Sequence, residues 1–219
     1  MKALVVAGGD VPQGLLQAEL TDAGIVICAD GGARYLATTG RLPDILIGDM
    51  DSIDAGLLHK LESSGVEVIR AATWKDETDA QLAVDEAIAR GADEIVMLGM
   101  LGGRIDHALG NLMLLLRSAQ RNVRSVVKDK KVEITAATGA VEVAGKAGET
   151  VSLLPVGSGV SVRYLDGLRY GAKEPLALPL DSPVGVSNVM TADKAHIVVD
   201  GWAYLLIIHE ISIDHICKG

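Results

Sequence analysis

Six short apolar runs, Leu4–Ala7, Ile25–Ala29, Ile45–Ile47, Val66–Ile69, Ile95–Leu98 and Val123–Val127, recur along residues 1–130 with helix-period segments between them. Runs this short and this apolar suit strands buried on both faces. Ala80, Ala83, Val84, Ala87 and Ile88, at i, i+3, i+4, i+7 and i+8, mark one face of a helix. Alternation of this kind predicts a Rossmann-like α/β domain with a mostly parallel sheet and right-handed crossovers. Parallel strands all end at one edge of their sheet, and ligands bind there, near the point where the strand order reverses.

After about Asp129 the pattern changes to short alternating stretches broken by Gly139, Gly145, Gly148, Gly157, Gly159, Gly167, Gly171, Gly185 and Gly201. That punctuation predicts a small all-β sandwich or barrel over residues 131–219. With 49% hydrophobic and 22% charged residues, the chain can bury two such cores and does not read as disordered.

Several function classes are excluded at this level. No apolar run approaches the roughly 18 residues of a membrane span, and Met1-Lys2 leads straight into a strand-like segment, so a cytoplasmic protein with no membrane partner is expected. A net charge of −9 without Lys/Arg clusters argues against nucleic acid, whose backbone is held by basic side chains. A phosphate bound here is therefore a small one, reached with a metal's help. Cys28 and Cys217 form no disulfide framework and no metal-ligand spacing. Phenylalanine is absent, and Trp74 and Trp202 read as packing residues, with Trp74 near enough to the next residues to touch a ligand's periphery.

The segments just beyond the strand-like runs carry the chemistry. The second run ends in Asp30-Gly31-Gly32, the third in Gly48-Asp49-Met50-Asp51-Ser52, the fourth is followed by Lys75-Asp76-Glu77-Thr78-Asp79, and the fifth leads into Gly102-Gly103-Arg104-Ile105-Asp106-His107. Asp49 and Asp51, at i and i+2 of an extended segment, point to one side. Two carboxylates held that close are relieved by a shared proton or a hard cation such as Mg²⁺. A solvated turn with Ser52 opening a helix explains the same residues. Thr78 with Gln81 makes a capping box that puts Asp79 in a helix's first turn, yet capping explains one carboxylate of the three between Asp76 and Asp79. Lys75 beside that cluster is the charge balance a metal–polyphosphate site uses. Gly102 and Gly103 allow backbone N–H groups to approach a ligand. Arg104 offers a planar fork for phosphate oxygens, Asp106 suits a helix N-terminus, and His107 reads as a surface residue. The next helical segment carries Ile105, Ala108, Leu109, Leu112, Met113 and Leu116 on one face.

Four blocks in this order, Ala29-Asp30-Gly31-Gly32-Ala33, Pro43 to Ser52, Lys75 to Asp79 and Leu101 to His107, closely resemble the signature of the thiamine pyrophosphokinase family. Gly167-Leu168-Arg169-Tyr170 and Val186-Ser187-Asn188 resemble that family's thiamine-binding blocks. The resemblance implies transfer of the pyrophosphoryl group of ATP to the hydroxyl of thiamine, with release of AMP. It implies a Mg²⁺ requirement and a homodimer with active sites near the interface. Asp49, Asp51 and Asp79 would hold the metal. Asp30, Gly31, Gly32, Lys75, Asp76, Thr78, Gly102, Gly103, Arg104 and Asp106 would surround the nucleotide, and Tyr170, Ser187 and Asn188 would hold thiamine, the tyrosine by stacking. Ile105 departs from the phenylalanine common in the family after that arginine. A metal-dependent phosphohydrolase, a pyrophosphokinase for another heterocyclic alcohol and a non-catalytic nucleotide sensor are the competing readings.

Overall fold

The computed structural model describes residues 1–72, 74, 76–171 and 174–209. The chain divides into two compact units, Met1–Lys130 and Lys131–Gly219.

In the first unit β1 (Lys2–Val6), β2 (Ile25–Ala29), β3 (Ile45–Gly48), β4 (Glu67–Arg70), β5 (Glu94–Leu98) and β6 (Arg124–Lys128) are interleaved with α1 (Gln13–Leu20), α2 (Ala55–Ser63), α3 (Asp79–Ala89) and α4 (Ile105–Ala119). A 3-10 segment, Asp30–Thr38, takes the place of a helix after β2. All strand pairs are parallel and run in the order β6-β5-β1-β2-β3-β4. From β1 the chain winds one way to β4, then jumps back to β5 on the other side of β1. The order therefore reverses between β1 and β5, and the ligand crevice is expected there.

Period-2 alternation sorts the strand side chains onto two layers. Leu4, Val6, Val26, Cys28, Leu46, Val96 and Leu98 share one core with Leu16 of α1, Leu36 of the 3-10 segment and Leu61 of α2. The opposite face is covered in part by α3, which packs on β2, β1 and β3 through buried Ala80, Ala83, Val84 and Ala87. The helical face read from the sequence is thus the buried one, Ile88 excepted. Small side chains along it let α3 lie close to the sheet. A fully buried leucine such as Leu46 contributes on the order of 2–5 kcal/mol against truncation to alanine. β4 differs from the expectation of a buried strand, because as the outermost strand beyond β3 it keeps Val68 and Ile69 only half-buried.

Two further expectations are corrected. α4 buries Ala108, Asn111, Leu114, Leu115 and Ser118, whereas Ile105, Leu109 and Met113 stand 73%, 55% and 63% exposed. The apolar stripe read from the sequence is therefore only in part the face that packs: Ala108 is buried and Leu112 and Leu116 are half-buried, while Ile105, Leu109 and Met113 face outward. Asn111 explains the offset: its amide is buried and donates to the Met100 carbonyl at 2.9 Å, a bond that fixes the helix rotation against the β5 end. Trp74 is 96% exposed rather than packed.

In the second unit three long strands, β7 (Val132–Ala144), β8 (Thr150–Asp166) and β11 (Lys194–Ile208), pair antiparallel in the order β8-β11-β7. Short β9 (Leu176–Ala177) and β10 (Asn188–Val189) add to β8. The register of β11 shifts between Val199 and Ala203, where the strand is irregular against both neighbours. Residues from both halves of each long strand, among them Ala137 and Val143, Leu153 and Val162, Ile197 and Leu205, enter one buried core. This unit is all-β.

Candidate active site

The C-terminal edge of the parallel sheet opens into a cavity of about 460 Å³ at the reversal point. Gly8 and Gly9 after β1 and the Gly99–Met100 and Gly102–Arg104 stretches after β5 form its walls, joined by a bond from Gly9 N–H to the Gly99 carbonyl at 2.9 Å. Asp30, Gly31 and Arg34 enter from the β2 end, Ser52 from beyond β3, and Glu77 to Ala80 from the start of α3.

Carboxylates converge here. Asp30, Asp49 and Asp79 each present an oxygen within 4.8 Å of the others. Parallel pairing brings the ends of β2 and β3 side by side, so Asp30 and Asp49, one residue beyond their strands, are neighbours. Asp79 reaches them from the first turn of α3, where Thr78 caps the helix by accepting the Gln81 N–H at 3.1 Å. Thr78 therefore does what a cap does and, by setting the helix entry, aims Asp79 at the other two. Gly48 makes room: its φ is 153°, and a Cβ there would stand 2.9 Å from Asp30 Cβ and 3.2 Å from Asp79 Cγ. Asp30 (φ 41°) and Met50 (φ 65°) hold left-handed backbone without being glycine, strain of the kind that gathers at functional sites.

Asp30 is the buried member. Its Oδ2 accepts the Ser52 N–H at 3.0 Å, while its buried Oδ1 has no hydrogen-bond partner among the described residues. Burial, with smaller contributions from the charges of Asp79 and Asp51, raises its pKa against the opposing bonds from Ser52. A buried acceptor left without a donor is costly, and three hard oxygen donors on one spot are what a divalent cation such as Mg²⁺ takes. The donor set fits a metal.

The other residues expected from the sequence occupy varied positions. Asp51 is exposed; its Oδ1 accepts the Ser52 hydroxyl at 2.8 Å, and its backbone N–H reaches Asp49 Oδ1 at 3.3 Å. It stands outside the three-carboxylate group but near enough for its charge to act on Asp30. Gly31 lines the cavity and Gly32 is buried behind it. Gly102 and Gly103, both left-handed (φ 89° and 66°), turn the chain sharply from β5 into α4 along the cavity wall. Arg104 precedes α4 and forks onto Asp106, at 3.1 Å from Nε and 2.5 Å from Nη2; the pair is exposed, and the guanidinium holds the Asp106 carboxyl down at about 2. His107 also lines the cavity, a position its surface reading left out. Asp76 is exposed, and Lys75 lies outside the described residues.

In the second unit the three expected acceptor-binding residues form one unit of structure. Asn188 accepts the Tyr170 N–H at 3.0 Å and donates to the Tyr170 carbonyl at 2.8 Å, so its side chain pairs with that residue's backbone at both ends. Ser187, left-handed at φ 62°, donates its N–H to Ser152 Oγ at 3.1 Å. The Tyr170 side chain is 66% exposed.

The motif reading misses Gly8, Gly9, Arg34 and Asn111 as cavity residues. Gly8-Gly9 is visible as a glycine pair after the first strand, but its placement against β5 depends on a strand order that sequence spacing does not encode.

A parallel α/β unit that gathers carboxylates at a glycine-walled crevice has the make-up of a nucleotide- and cation-binding enzyme domain. Residues 16–127 match the family model for the thiamin pyrophosphokinase catalytic domain. The chain belongs to the thiamin pyrophosphokinase family. It is 34% identical over 134 residues to the thiamine pyrophosphokinase of Bacillus subtilis, a match that covers 59% of this chain and 61% of that protein. The crystal structure of thiamine pyrophosphokinase from Bacillus subtilis superposes with a TM-score of 0.84 at 26% identity, over 96% of this chain and all of that one. The thiamin pyrophosphokinase of Candida albicans shares the fold with a TM-score of 0.84 at 17% identity, over 95% of this chain and 89% of that one.

Proposed function

We propose that this chain transfers the pyrophosphoryl group of ATP to the hydroxyl of thiamine, giving thiamine diphosphate and AMP. The observation that carries the reading is the convergence of Asp30, Asp49 and Asp79 beside the glycine-walled cavity, in a chain of this family. Mg²⁺ would be held by Asp49 and Asp79 together with Asp30, and when bound it supplies charge neutralisation for the triphosphate. Asp51 would border that site through its contact with Ser52. Transfer of this kind is mostly positioning and electrostatics. Gly8, Gly9, Gly102 and Gly103 bring backbone close to the nucleotide, Gly31, Gly32, Asp76 and Thr78 shape its pocket, and Arg104 and Lys75 supply positive charge. Asp79 is the carboxylate we assign to accept the attacking hydroxyl's proton.

Tyr170, held by Asn188 next to Ser187, would stack on the flat, cationic acceptor. We further propose a cytoplasmic homodimer, supported by the exposed apolar stripe of Ile105, Leu109 and Met113, the kind of surface a second copy covers. Among the described residues no helix is long and apolar enough to cross a membrane.

The test is incubation with ATP, Mg²⁺ and thiamine. AMP and thiamine diphosphate are expected in equal amounts, and free phosphate without AMP would overturn the reading in favour of a phosphohydrolase. ATP that binds and stays intact would favour a sensor, and a panel of heterocyclic alcohols checks the acceptor.

A further inference from the structure

The cavity contains one arginine that neither the signature blocks nor the carboxylate group accounts for. Arg34 stands on the 3-10 segment four residues beyond Asp30 and lines the cavity. Its guanidinium donates to the carbonyl oxygens of Gly8 and of Gly31, the latter at 3.3 Å, and to the Tyr35 hydroxyl at 3.0 Å; it lies over the Tyr35 ring with its central carbon 4.6 Å from the centroid. Tyr35 in turn donates its hydroxyl to the Gly9 carbonyl at 2.6 Å. All of these partners are neutral. Among the described residues Arg34 has no carboxylate partner, whereas Arg104, the other arginine on the cavity wall, forks onto Asp106.

Of the two, Arg34 is thus the guanidinium whose charge no carboxylate among the described residues offsets. A guanidinium has five N–H donors, and these three contacts use three of them. The braces to Gly8, Gly31 and Tyr35 fix the side chain, so little rotamer entropy remains to be lost when an anion arrives. They also keep the charge on the β1 side of the cavity, while the carboxylates come from the β2 and β3 ends and α3. A Cβ built at Gly31 falls 3.1 Å from Arg34 Nη1 and 3.2 Å from the Ser52 carbonyl, so the guanidinium and Ser52, which bonds Asp30, both border the space that glycine leaves at position 31.

We propose that Arg34 is a binding residue for the nucleotide's phosphates, the cation that meets their oxygens on the β1 side while the carboxylates serve the metal. The inference rests on the nucleotide reading of this site. It predicts that ATP affinity depends on the charge at position 34 and not on the braces alone. Lysine keeps the charge but cannot span Gly8, Gly31 and Tyr35, so Arg34→Lys and Arg34→Met separate the two roles.

The experiment is titration calorimetry of the full chain with ATP and Mg²⁺, thiamine omitted so that no turnover intervenes, and with thermal unfolding recorded for each variant. Arg34→Met is expected to weaken ATP binding about 10- to 100-fold, the scale of one charge-assisted hydrogen-bonding group, and Arg34→Lys to recover a substantial part of it. Wild-type affinity in Arg34→Met overturns the inference. So does equal weakening in both variants, because then the brace and not the charge matters. Wild-type protein that binds ATP but makes no thiamine diphosphate sinks the kinase reading and leaves Arg34 standing, whereas normal turnover with unimpaired ATP binding in Arg34→Met removes Arg34 alone.

Discussion

The carboxylate of Asp79 lies against the one face of Gly48 where a side chain would project: a Cβ built there comes 3.2 Å from Asp79 Cγ and 3.3 Å from Oδ1. Two elements far apart in the chain, the end of β3 and the first turn of α3, can meet only because Gly48 has no side chain. The site's geometry thus depends on an atom that is missing as much as on the three carboxylates.

Gly48→Ala is therefore expected to push Asp79 and Asp30 apart. The added methyl also sits on backbone at φ 153°, which an alanine rarely adopts, at a cost of roughly 1–3 kcal/mol in stability. Beyond that loss, the Mg²⁺ concentration for half-maximal turnover should rise about tenfold or more. A metal titration on variant protein that remains folded checks this, and an unchanged Mg²⁺ requirement would show that the three carboxylates tolerate the displacement.

Asp30 links stability to pH with a definite sign. Its folded pKa is raised by burial, so ionisation destabilises the metal-free fold. That cost is absent below the unfolded carboxylate value, near 3.9, and grows as pH rises through the raised folded value. Metal-free Asp30→Asn should accordingly be more stable than wild type at neutral pH, by about 0.5–2 kcal/mol. The gap should narrow as the pH falls toward about 4, and added Mg²⁺ should stabilise the variant less than wild type. Denaturant unfolding at several pH values, with and without Mg²⁺, measures all three.

The parallel sheet and the acidic edge are legible in the sequence because period and position suffice for them: apolar runs mark strands, and Asp30 and Asp49 come directly after two of them. Asp79 is readable as well, since Thr78 and Gln81 fix where its helix begins. Membership of Asp30 in the carboxylate group is not, because it depends on the β2–β3 register and on the space left by Gly48. Arg34 escapes for a similar reason. Nothing in the local pattern tells that Gly8 braces Arg34 or that Gly9 holds the neighbouring Tyr35 hydroxyl, since both glycines lie beyond a different strand. The rotation of α4 is hidden because a polar Asn111 belongs to the buried face while Leu109 and Met113 do not.

Asn188 gives the acceptor site a specific test. Its amide accepts from the Tyr170 N–H and donates to the Tyr170 carbonyl, and an aspartate in its place keeps the acceptor and loses the donor. Asn188→Asp leaves the Tyr170 carbonyl facing a negative charge, so the loop that carries the aromatic ring should shift. The KM for thiamine is expected to rise about tenfold or more, the equivalent of the roughly 1–3 kcal/mol that a broken hydrogen bond costs, with the KM for ATP little changed. Tyr170→Ala should show the same split. Equal effects on both substrates in steady-state kinetics would separate this corner of the second unit from acceptor recognition.

The α4 stripe tests the dimer. Ile105, Leu109 and Met113 succeed one another at i, i+4 and i+8 and remain exposed, while the helix packs on its own sheet through Ala108, Asn111 and Leu115. A charge placed on the stripe therefore spares the core of the unit, so Leu109→Glu should leave the melting temperature of the isolated chain within a few degrees of wild type. If the stripe is the surface that a second copy covers, burying an unpaired glutamate there at both copies of a two-fold interface is strongly unfavourable. Light scattering coupled to size exclusion should then show wild type at twice the chain mass and Leu109→Glu at the chain mass. A variant that still elutes as a dimer would move the interface elsewhere and leave the exposed stripe without this role.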